Sequence, residues 1–209
     1  MSGERLTGLD GLRGVAAVGV MVMHAHLAAL PVPHGYLAVD LFYLLSGYVI
    51  ARSYEPALRQ GMGLGAYLLI RLERLYPMLL LGGLLGLAVY AAGWSEFRPR
   101  DQTDFALAVI GQFLLIPLLA SGTAFSFNGA QWSIVHELIA NAAHAALLPR
   151  LSNRVLAAIA GLSALGLAAT ARHFGNLNTG FTPESFVWAL SRVGFGFFLG
   201  VLLHRTEAV

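Results

Sequence analysis

The sequence predicts an all-α fold, a polytopic transmembrane helical bundle, and three observations carry that prediction. Hydrophobic residues make up 57% of the 209 residues. Charged residues make up only 11%, whereas a soluble domain normally carries about a quarter. The mean hydropathy is +0.68, and apolar stretches long enough to cross a bilayer recur between short polar breaks.

Six stretches are predicted to span the membrane, because a crossing helix needs about 20 mostly apolar residues. In chain order they are 11–30, 37–54, 66–92, 130–148, 154–171 and 186–204. A seventh apolar stretch, 105–119, is shorter than a typical span and is predicted to form one short re-entrant or interfacial helix. The bundle therefore has about six spans plus this short helix.

The arginines orient the predicted helices. All 13 basic residues are arginines. If 105–119 does not cross, most of them fall on the side of the N-terminus, and the positive-inside rule then makes both termini cytoplasmic. Arg98, Arg100 and Arg172 fall outside, and Arg192 is left within the last span. The prediction is a multi-pass protein of the plasma (inner) membrane with a cytoplasmic N-terminus.

Composition also excludes several kinds of site. The net charge of +2 follows from the cytoplasmic arginines and does not suggest a nucleic-acid partner. The chain has no cysteine, so it has no thiolate metal site and no thiol nucleophile. His136 and His144 lie eight residues apart on one predicted helix, but no third ligand accompanies them, so no metal is expected.

Arg13 and His24 are two ionisable residues on the first predicted span, where such residues usually mark function. Eleven residues of helix place their side chains about 20° apart around the axis and about 16 Å apart along it. A fixed cation and an imidazole on one face would suit an anionic ligand whose reactive end reaches into the membrane. The alternative is that Arg13 pairs with Asp10 and that His24 bonds a backbone carbonyl.

Four motifs resemble the acyltransferase family 3 integral membrane proteins. The run from Leu9 to Gly14, followed by His24, is similar to that family's N-terminal signature. In the family's order there follow GYLAVDLFYLLSGYV at 35–49, RLERLYP at 71–77 and WSIVHE at 132–137. The four motifs together identify the chain as a member of this family, over a region from residue 9 to residue 137.

The resemblance implies a membrane-bound O-acyltransferase that uses acyl-CoA. It would transfer an acyl group, usually acetyl from acetyl-CoA as co-substrate, to a hydroxyl of a carbohydrate such as a cell-surface or lipid-linked glycan. The expected partners are that glycan and membrane lipids. Residues 1–209 are expected to form a single transmembrane acyltransferase domain that lacks the family's last helices, because members usually have about ten spans. Such a chain is either an inactive fragment or a short variant that completes its bundle as a homo-oligomer.

The resemblance also assigns candidate catalytic residues. His24 would remove the proton of the acceptor hydroxyl, or would itself be acylated transiently. Asp40 would orient His24 or accept a sugar hydroxyl; alternatively, it stabilises a helix N-terminus. Glu137 would bind or deprotonate the acceptor; alternatively, it is a buried partner for an arginine such as Arg192.

Three arginines are candidate donor-binding residues. Arg71 and Arg74 lie three residues apart on one helical face, where their guanidinium groups could hold the phosphates of CoA with help from Arg13. Alternatively, arginines at this boundary only anchor the helix to lipid phosphates. A different class of function is a non-catalytic membrane carrier or assembly subunit, which need not bind CoA.

Overall fold

The computed structural model describes residues 7–24, 34–119 and 122–207. Within these ranges the chain forms helices, one short 3-10 turn and loops, and no strand. The helices, in chain order, are α1 (Thr7–His24), α2 (Leu37–Arg59), α3 (Leu64–Ala91), α4 (Gln102–Leu114), α5 (Gln131–Leu147), α6 (Asn153–Phe174), α7 (Pro183–Phe186) and α8 (Ala189–Glu207). The predicted all-α fold is confirmed, and a helix lies at each predicted stretch.

Three helical segments of the described chain are long and apolar enough to cross a membrane by length and composition. They are α3, α6 and the segment Pro183–Glu207 that contains α7 and α8. The described part of α1 has 18 residues and α5 has 17, which is below the usual length of about 20. Residues 25–30 of the first predicted span lie outside the described ranges. The crossings by α1, α2 and α5 stay predictions.

The chain is divided into two compact units. The first comprises Met1–Pro56, Pro149–Asn178 and Ser191–Val209, and the second comprises Ala57–Leu148 and Thr179–Leu190. In the first unit, α2 and α8 lie side by side. Asp40 near the start of α2 bonds Arg192 near the start of α8, and Glu55 near the end of α2 bonds Arg205 near the end of α8. The two helices therefore run parallel.

Glycines allow the backbones of α2 and α8 to come into direct contact. A Cβ at Gly47 would overlap the carbonyl of Phe197, and one at Gly200 would overlap the carbonyl of Leu44. Small residues at helix contacts are the usual means of close packing within membranes, because little hydrophobic force acts between helices there. Gly47 and Gly200 are therefore packing positions between the two helices.

In the second unit, α3 and α5 are antiparallel neighbours. Tyr67 of α3 bonds Asn141 of α5, and one turn later Arg71 bonds Glu137, which lies one turn earlier on α5. Residue numbers rise along one helix as they fall along the other. Neighbouring spans of opposite direction are expected when nothing crosses the membrane between them.

The segment from the start of α4 to Phe127 begins and ends beside the same end of α3. Near its start Phe105 stacks on Tyr90, with ring centroids 5.2 Å apart, and near its end the Phe113 carbonyl accepts a hydrogen bond from Tyr76. The chain then turns back, and Phe127 contacts Tyr90 again, with ring centroids 5.9 Å apart. Thirteen residues of helix reach only about 20 Å, less than the hydrocarbon core of about 30 Å.

Backbone carbonyl groups at the C-terminal end of α4 accept hydrogen bonds from side chains. The Tyr76 hydroxyl donates to the Phe113 carbonyl at 3.2 Å, and Gln131 Nε2 donates to the Gln112 carbonyl at 2.7 Å. Leu115 then takes the left-handed conformation, with φ 61°, and its N–H bonds the Gly111 carbonyl. A helix that ends within a membrane needs such partners, because its last carbonyls have none in the helix.

The relative directions of the helices agree with a re-entrant α4. Antiparallel α3 and α5 require an even number of crossings between them, which is met when α4 does not cross. Parallel α2 and α8 require an odd number, which is met if α3, α5 and α6 each cross. If α4 crossed as well, both relations would be reversed. The geometry within each unit thus supports the predicted short re-entrant helix.

Candidate functional site

Arg13 and His24 lie on one continuous helix, α1, so their predicted common face holds. Arg13 is half-buried and His24 is exposed within the described part of the chain. His24 Nδ1 donates to the Val20 carbonyl at 2.9 Å, since a carbonyl oxygen can only accept. The neutral ring therefore keeps its lone pair on Nε2. A hydrogen bond to a backbone carbonyl was the alternative role predicted for His24. With Nδ1 as the donor, Nε2 is the ring nitrogen that can accept a proton.

Asp40 is held by Arg192 in a two-pronged ion pair. Arg192 Nε and a terminal nitrogen donate to the two carboxylate oxygens at 2.9 and 3.0 Å. The same terminal nitrogen donates to the Tyr36 carbonyl at 2.8 Å, and the guanidinium carbon lies 5.9 Å from the Tyr36 ring centroid. The arginine side chain is fully buried, while that of Asp40 is 27% exposed. We call Asp40, Arg192 and the Tyr36 carbonyl the Asp40 cluster.

Glu137 is held by Arg71 in the second unit. The two groups meet at 3.1 Å, with side-chain exposures of 18% and 6%. One turn away, the Tyr67 hydroxyl donates to Asn141 Oδ1 at 2.5 Å, and Asn141 Nδ2 donates to the Glu137 carbonyl at 2.7 Å. Glu137 is therefore the partner of an arginine, as its alternative reading held, but of Arg71. The suggested partner, Arg192, bonds Asp40 instead.

The two arginines of the RLERLYP motif differ in their surroundings. Arg71 is buried and Arg74 is exposed. Within the described ranges, Arg71 Nε is a buried donor with no hydrogen-bond acceptor. Arg74 is thus open to an external anion, whereas Arg71 already neutralises Glu137 and keeps one donor unused. The two guanidinium groups therefore lie in different environments, that of Arg71 buried and that of Arg74 exposed.

The six candidate residues fall into two groups. Arg13, His24 and Asp40 belong to the first unit, and Arg71, Arg74 and Glu137 belong to the second. Within the described residues no hydrogen bond joins His24 to Asp40, whose oxygens both face Arg192. The proposed orientation of His24 by Asp40 stays a prediction.

Sequence reasoning missed Tyr67 and Asn141 as partners. A signal was available in the spacing: Tyr67 with Arg71, and Glu137 with Asn141, are pairs four residues apart on two apolar helices. Such pairs share a helix face, and polar residues on a buried face need partners. The sequence does not say which two helices are neighbours.

A bundle of apolar helices with paired ionisable residues between them defines a polytopic membrane protein with a polar interior. A family model described as an acyltransferase domain, that of acyltransferase family 3, matches residues 6–208. The chain belongs to this family. This membership supports an acyltransferase embedded in a membrane.

The chain is also similar to several individual proteins. The chain is 34% identical to "Protein 2 in picA locus" of Rhizobium radiobacter over 186 residues, which cover 82% of this chain and 97% of that protein. It is 39% identical to the O-acetyltransferase OatA of Staphylococcus aureus over 77 residues, which cover 36% of this chain and 12% of OatA. A putative O-acetyltransferase of S. aureus is 34% identical over 76 residues, or 34% of this chain and 12% of that protein. No solved structure matches the chain.

Proposed function

We propose that this protein transfers an acyl group, acetyl from acetyl-CoA, to a hydroxyl of a carbohydrate such as a cell-surface or lipid-linked glycan. The observation that carries the proposal is the hydrogen bond between His24 Nδ1 and the Val20 carbonyl. The His24 Nδ1–H is committed to Val20, so Nε2 is the basic atom, and Arg13 lies on the same helix face. An imidazole of fixed tautomer is the usual general base for activating a hydroxyl.

The chemistry runs through His24 Nε2. This nitrogen removes the proton of the acceptor hydroxyl as the oxygen attacks the thioester carbonyl carbon. The carbon–sulfur bond then breaks, and the CoA thiolate takes up the proton held by the imidazolium. In a two-step version Nε2 attacks the thioester carbonyl carbon, the carbon–sulfur bond breaks, and CoA leaves as its thiolate. The acceptor oxygen then attacks the acyl-imidazolium, the hydroxyl proton passes to the thiolate, and Nε2 is released. Both versions need Nε2 unprotonated and accessible.

The similarity to two proteins named as O-acetyltransferases supports acetyl as the group transferred and a hydroxyl as its acceptor. The arginine distribution supports a cytoplasmic N-terminus in the inner membrane, the side from which CoA would come. Exposed Arg74 is the strongest candidate for a phosphate ligand, with Arg13 and Arg71 as further ones. Each guanidinium offers a planar fork that matches phosphate oxygens.

Glu137 is proposed to bind the acceptor through its carboxylate oxygens, which accept hydrogen bonds, as Oε1 does from Arg71. The hydrogen bond from Arg71 orients this carboxylate in an apolar helix bundle. Arg71 would then act mainly by holding Glu137, the residue proposed to bind the acceptor, and less by binding the CoA donor.

The test is acetyl transfer by membranes that contain the complete chain. Labelled acetyl-CoA is added, and label is followed into the glycan and lipid-linked fractions for the wild-type protein and for His24→Ala. His173→Ala is the matched control, because His173 is likewise an exposed histidine in the last turn of an apolar helix, α6. We expect His24→Ala to lower transfer by about 100-fold or more, and His173→Ala to leave it within about 3-fold.

Two outcomes would overturn the proposal. Full transfer by His24→Ala at equal protein levels would remove His24 from the chemistry. No label above vector membranes for the wild-type protein, with acetyl-CoA present throughout, would favour the carrier or assembly role. Binding of CoA to the purified protein separates that second outcome from a missing acceptor, because a carrier for glycans need not bind CoA.

A further inference from the structure

We propose that Arg192 is a positioning residue that fixes the carboxylate of Asp40 for use by the acyl-transfer site; this inference rests on the proposed function. Two clusters, each of a carboxylate, an arginine and a backbone carbonyl, join the same two helices. The Asp40 cluster joins the starts of α2 and α8. A second cluster, of Glu55, Arg205 and the Leu151 carbonyl, joins their ends and is called the Glu55 cluster.

The two clusters have similar hydrogen bonds, but Arg205 Nε lies within bonding distance of both Glu55 oxygens, whereas Arg192 Nε bonds only one oxygen of Asp40. In each, Nε and a terminal nitrogen of the arginine donate to a carboxylate, and a terminal nitrogen donates to a backbone carbonyl. Arg205 Nε lies 3.0 Å and its terminal nitrogen 2.6 Å from Glu55 Oε1, and its other terminal nitrogen bonds the Leu151 carbonyl. Each arginine thus loses little of its bonding capacity inside the bundle.

The clusters differ in how much of the carboxylate remains accessible. The Glu55 and Arg205 side chains are 10% and 12% exposed, so that pair is closed on both sides. Arg192 is fully buried, whereas the Asp40 side chain is 27% exposed. Arg192 therefore covers the Asp40 side chain only in part and leaves about a quarter of it accessible. A pair that served only to join α2 and α8 would have no need of that accessibility.

A partly accessible carboxylate held by a fixed cation is suited to accept a hydroxyl. Arg192 occupies one lone-pair position on each Asp40 oxygen, and about two of the four positions remain. The fork sets the plane of the carboxylate, since both of its bonds must be coplanar with the guanidinium. Lysine at position 192 would keep the charge but lose the fork, which frees the carboxylate to rotate.

The experiment compares Arg192→Lys with Arg205→Lys in the complete, membrane-inserted protein. Acetyl transfer from labelled acetyl-CoA to the endogenous acceptor is measured per amount of inserted protein. We expect Arg192→Lys to lower kcat by about 10- to 100-fold with the KM for acetyl-CoA within about 3-fold, because a misplaced group costs rate more than donor binding. We expect Arg205→Lys to keep kcat within about 3-fold of the wild type.

Equal losses of kcat in the two lysine variants would overturn the inference, because both clusters would then only stabilise the helix pair. An unchanged kcat for Arg192→Lys would overturn it as well. If Arg192→Lys fails to insert, Arg192→Gln against Arg205→Gln gives the same comparison, since the glutamine amide can still donate to the carboxylate. A wild-type protein without transfer would instead refute the proposed function, so the two failures are distinguishable.

Discussion

Tyr67 donates a hydrogen bond to Asn141 one turn away from the contact between Arg71 and Glu137, and the two contacts together set the register of α3 against α5. Both pairs have a spacing of four residues within their helices, so the same faces meet twice. A slip of one residue would break both contacts at once. The aromatic hydroxyl is thus as much a part of the Glu137 environment as the arginine is.

Tyr67→Phe is expected to destabilise the protein without changing its shape. The ring stays, but the buried Asn141 Oδ1 loses its donor, which costs about 1–3 kcal/mol. Thermal unfolding in detergent measures the loss. The double variant Tyr67→Phe with Asn141→Leu should lose clearly less than the sum of the single variants, because each removes the same bond. Strict additivity would show that the hydrogen bond contributes nothing.

Arg71→Met is expected to be rescued by Glu137→Gln. Removing one member of a buried ion pair leaves the other uncompensated, at a cost of about 3–5 kcal/mol, whereas removing both charges is often nearly neutral. The folded fraction recovered from membranes reports this. We expect the double variant to insert normally yet to lack acyl transfer, because both side chains are assigned to the site.

A surface pair provides the control for that experiment. The hydrogen bond from Arg100 lowers the pKa of Asp104, so this pair is ionised at neutral pH, but Arg100 is 71% exposed. Solvent screens such pairs, so Arg100→Met should leave the folded fraction unchanged. If Arg71→Met behaves like Arg100→Met, the Arg71 pair is not a buried pair in the membrane.

The sequence predicted the helices well because composition decides them. Apolar runs between polar breaks place the ends of α3 and α6 to within three residues, whereas α2 ends five residues later than predicted. The short stretch at 105–119 was distinguishable by its length alone. Helix propensity and hydropathy are local properties, and both can be read along the chain.

Partners across helices could not be predicted in the same way. Arg192 was considered as a partner for Glu137, and the structure pairs it with Asp40, 152 residues away in sequence. Which helices are neighbours depends on close contacts such as that of Gly47 with the Phe197 backbone. The presence of a glycine in the sequence does not show which helix packs against it. Spacing predicts the face on which a residue lies, and only the fold supplies its partner.

Gly200→Leu is expected to separate α2 from α8. Its side chain would overlap the Leu44 carbonyl, and crowding of this kind costs about 1–3 kcal/mol or more. The control is Gly161→Leu on α6, where a Cβ meets nothing within 4 Å. That control should be neutral or gain up to about 1 kcal/mol from helix propensity. Thermal unfolding of the two variants decides, and equal behaviour would contradict the close α2 and α8 contact.

If α4 is re-entrant as predicted, the loops before and after it share one side of the membrane. The native chain has no cysteine, so single cysteines report without a background. Glu96→Cys precedes α4 and Gly129→Cys follows it, and both positions are exposed. Gln60→Cys, exposed between α2 and α3, lies at the other end of α3. A membrane-impermeant maleimide should label Glu96→Cys and Gly129→Cys from one side and Gln60→Cys from the other.

That labelling separates the re-entrant helix from a seventh span. If α4 crossed, Gly129→Cys would react from the side of Gln60→Cys, and α3 and α5 would have to run parallel. The observed contacts of Tyr67 with Asn141 and of Arg71 with Glu137 would then be lost, because parallel helices cannot make both. Labelling of Gly129→Cys together with Gln60→Cys would therefore refute the α3 and α5 pairing along with the topology, and labelling together with Glu96→Cys supports both.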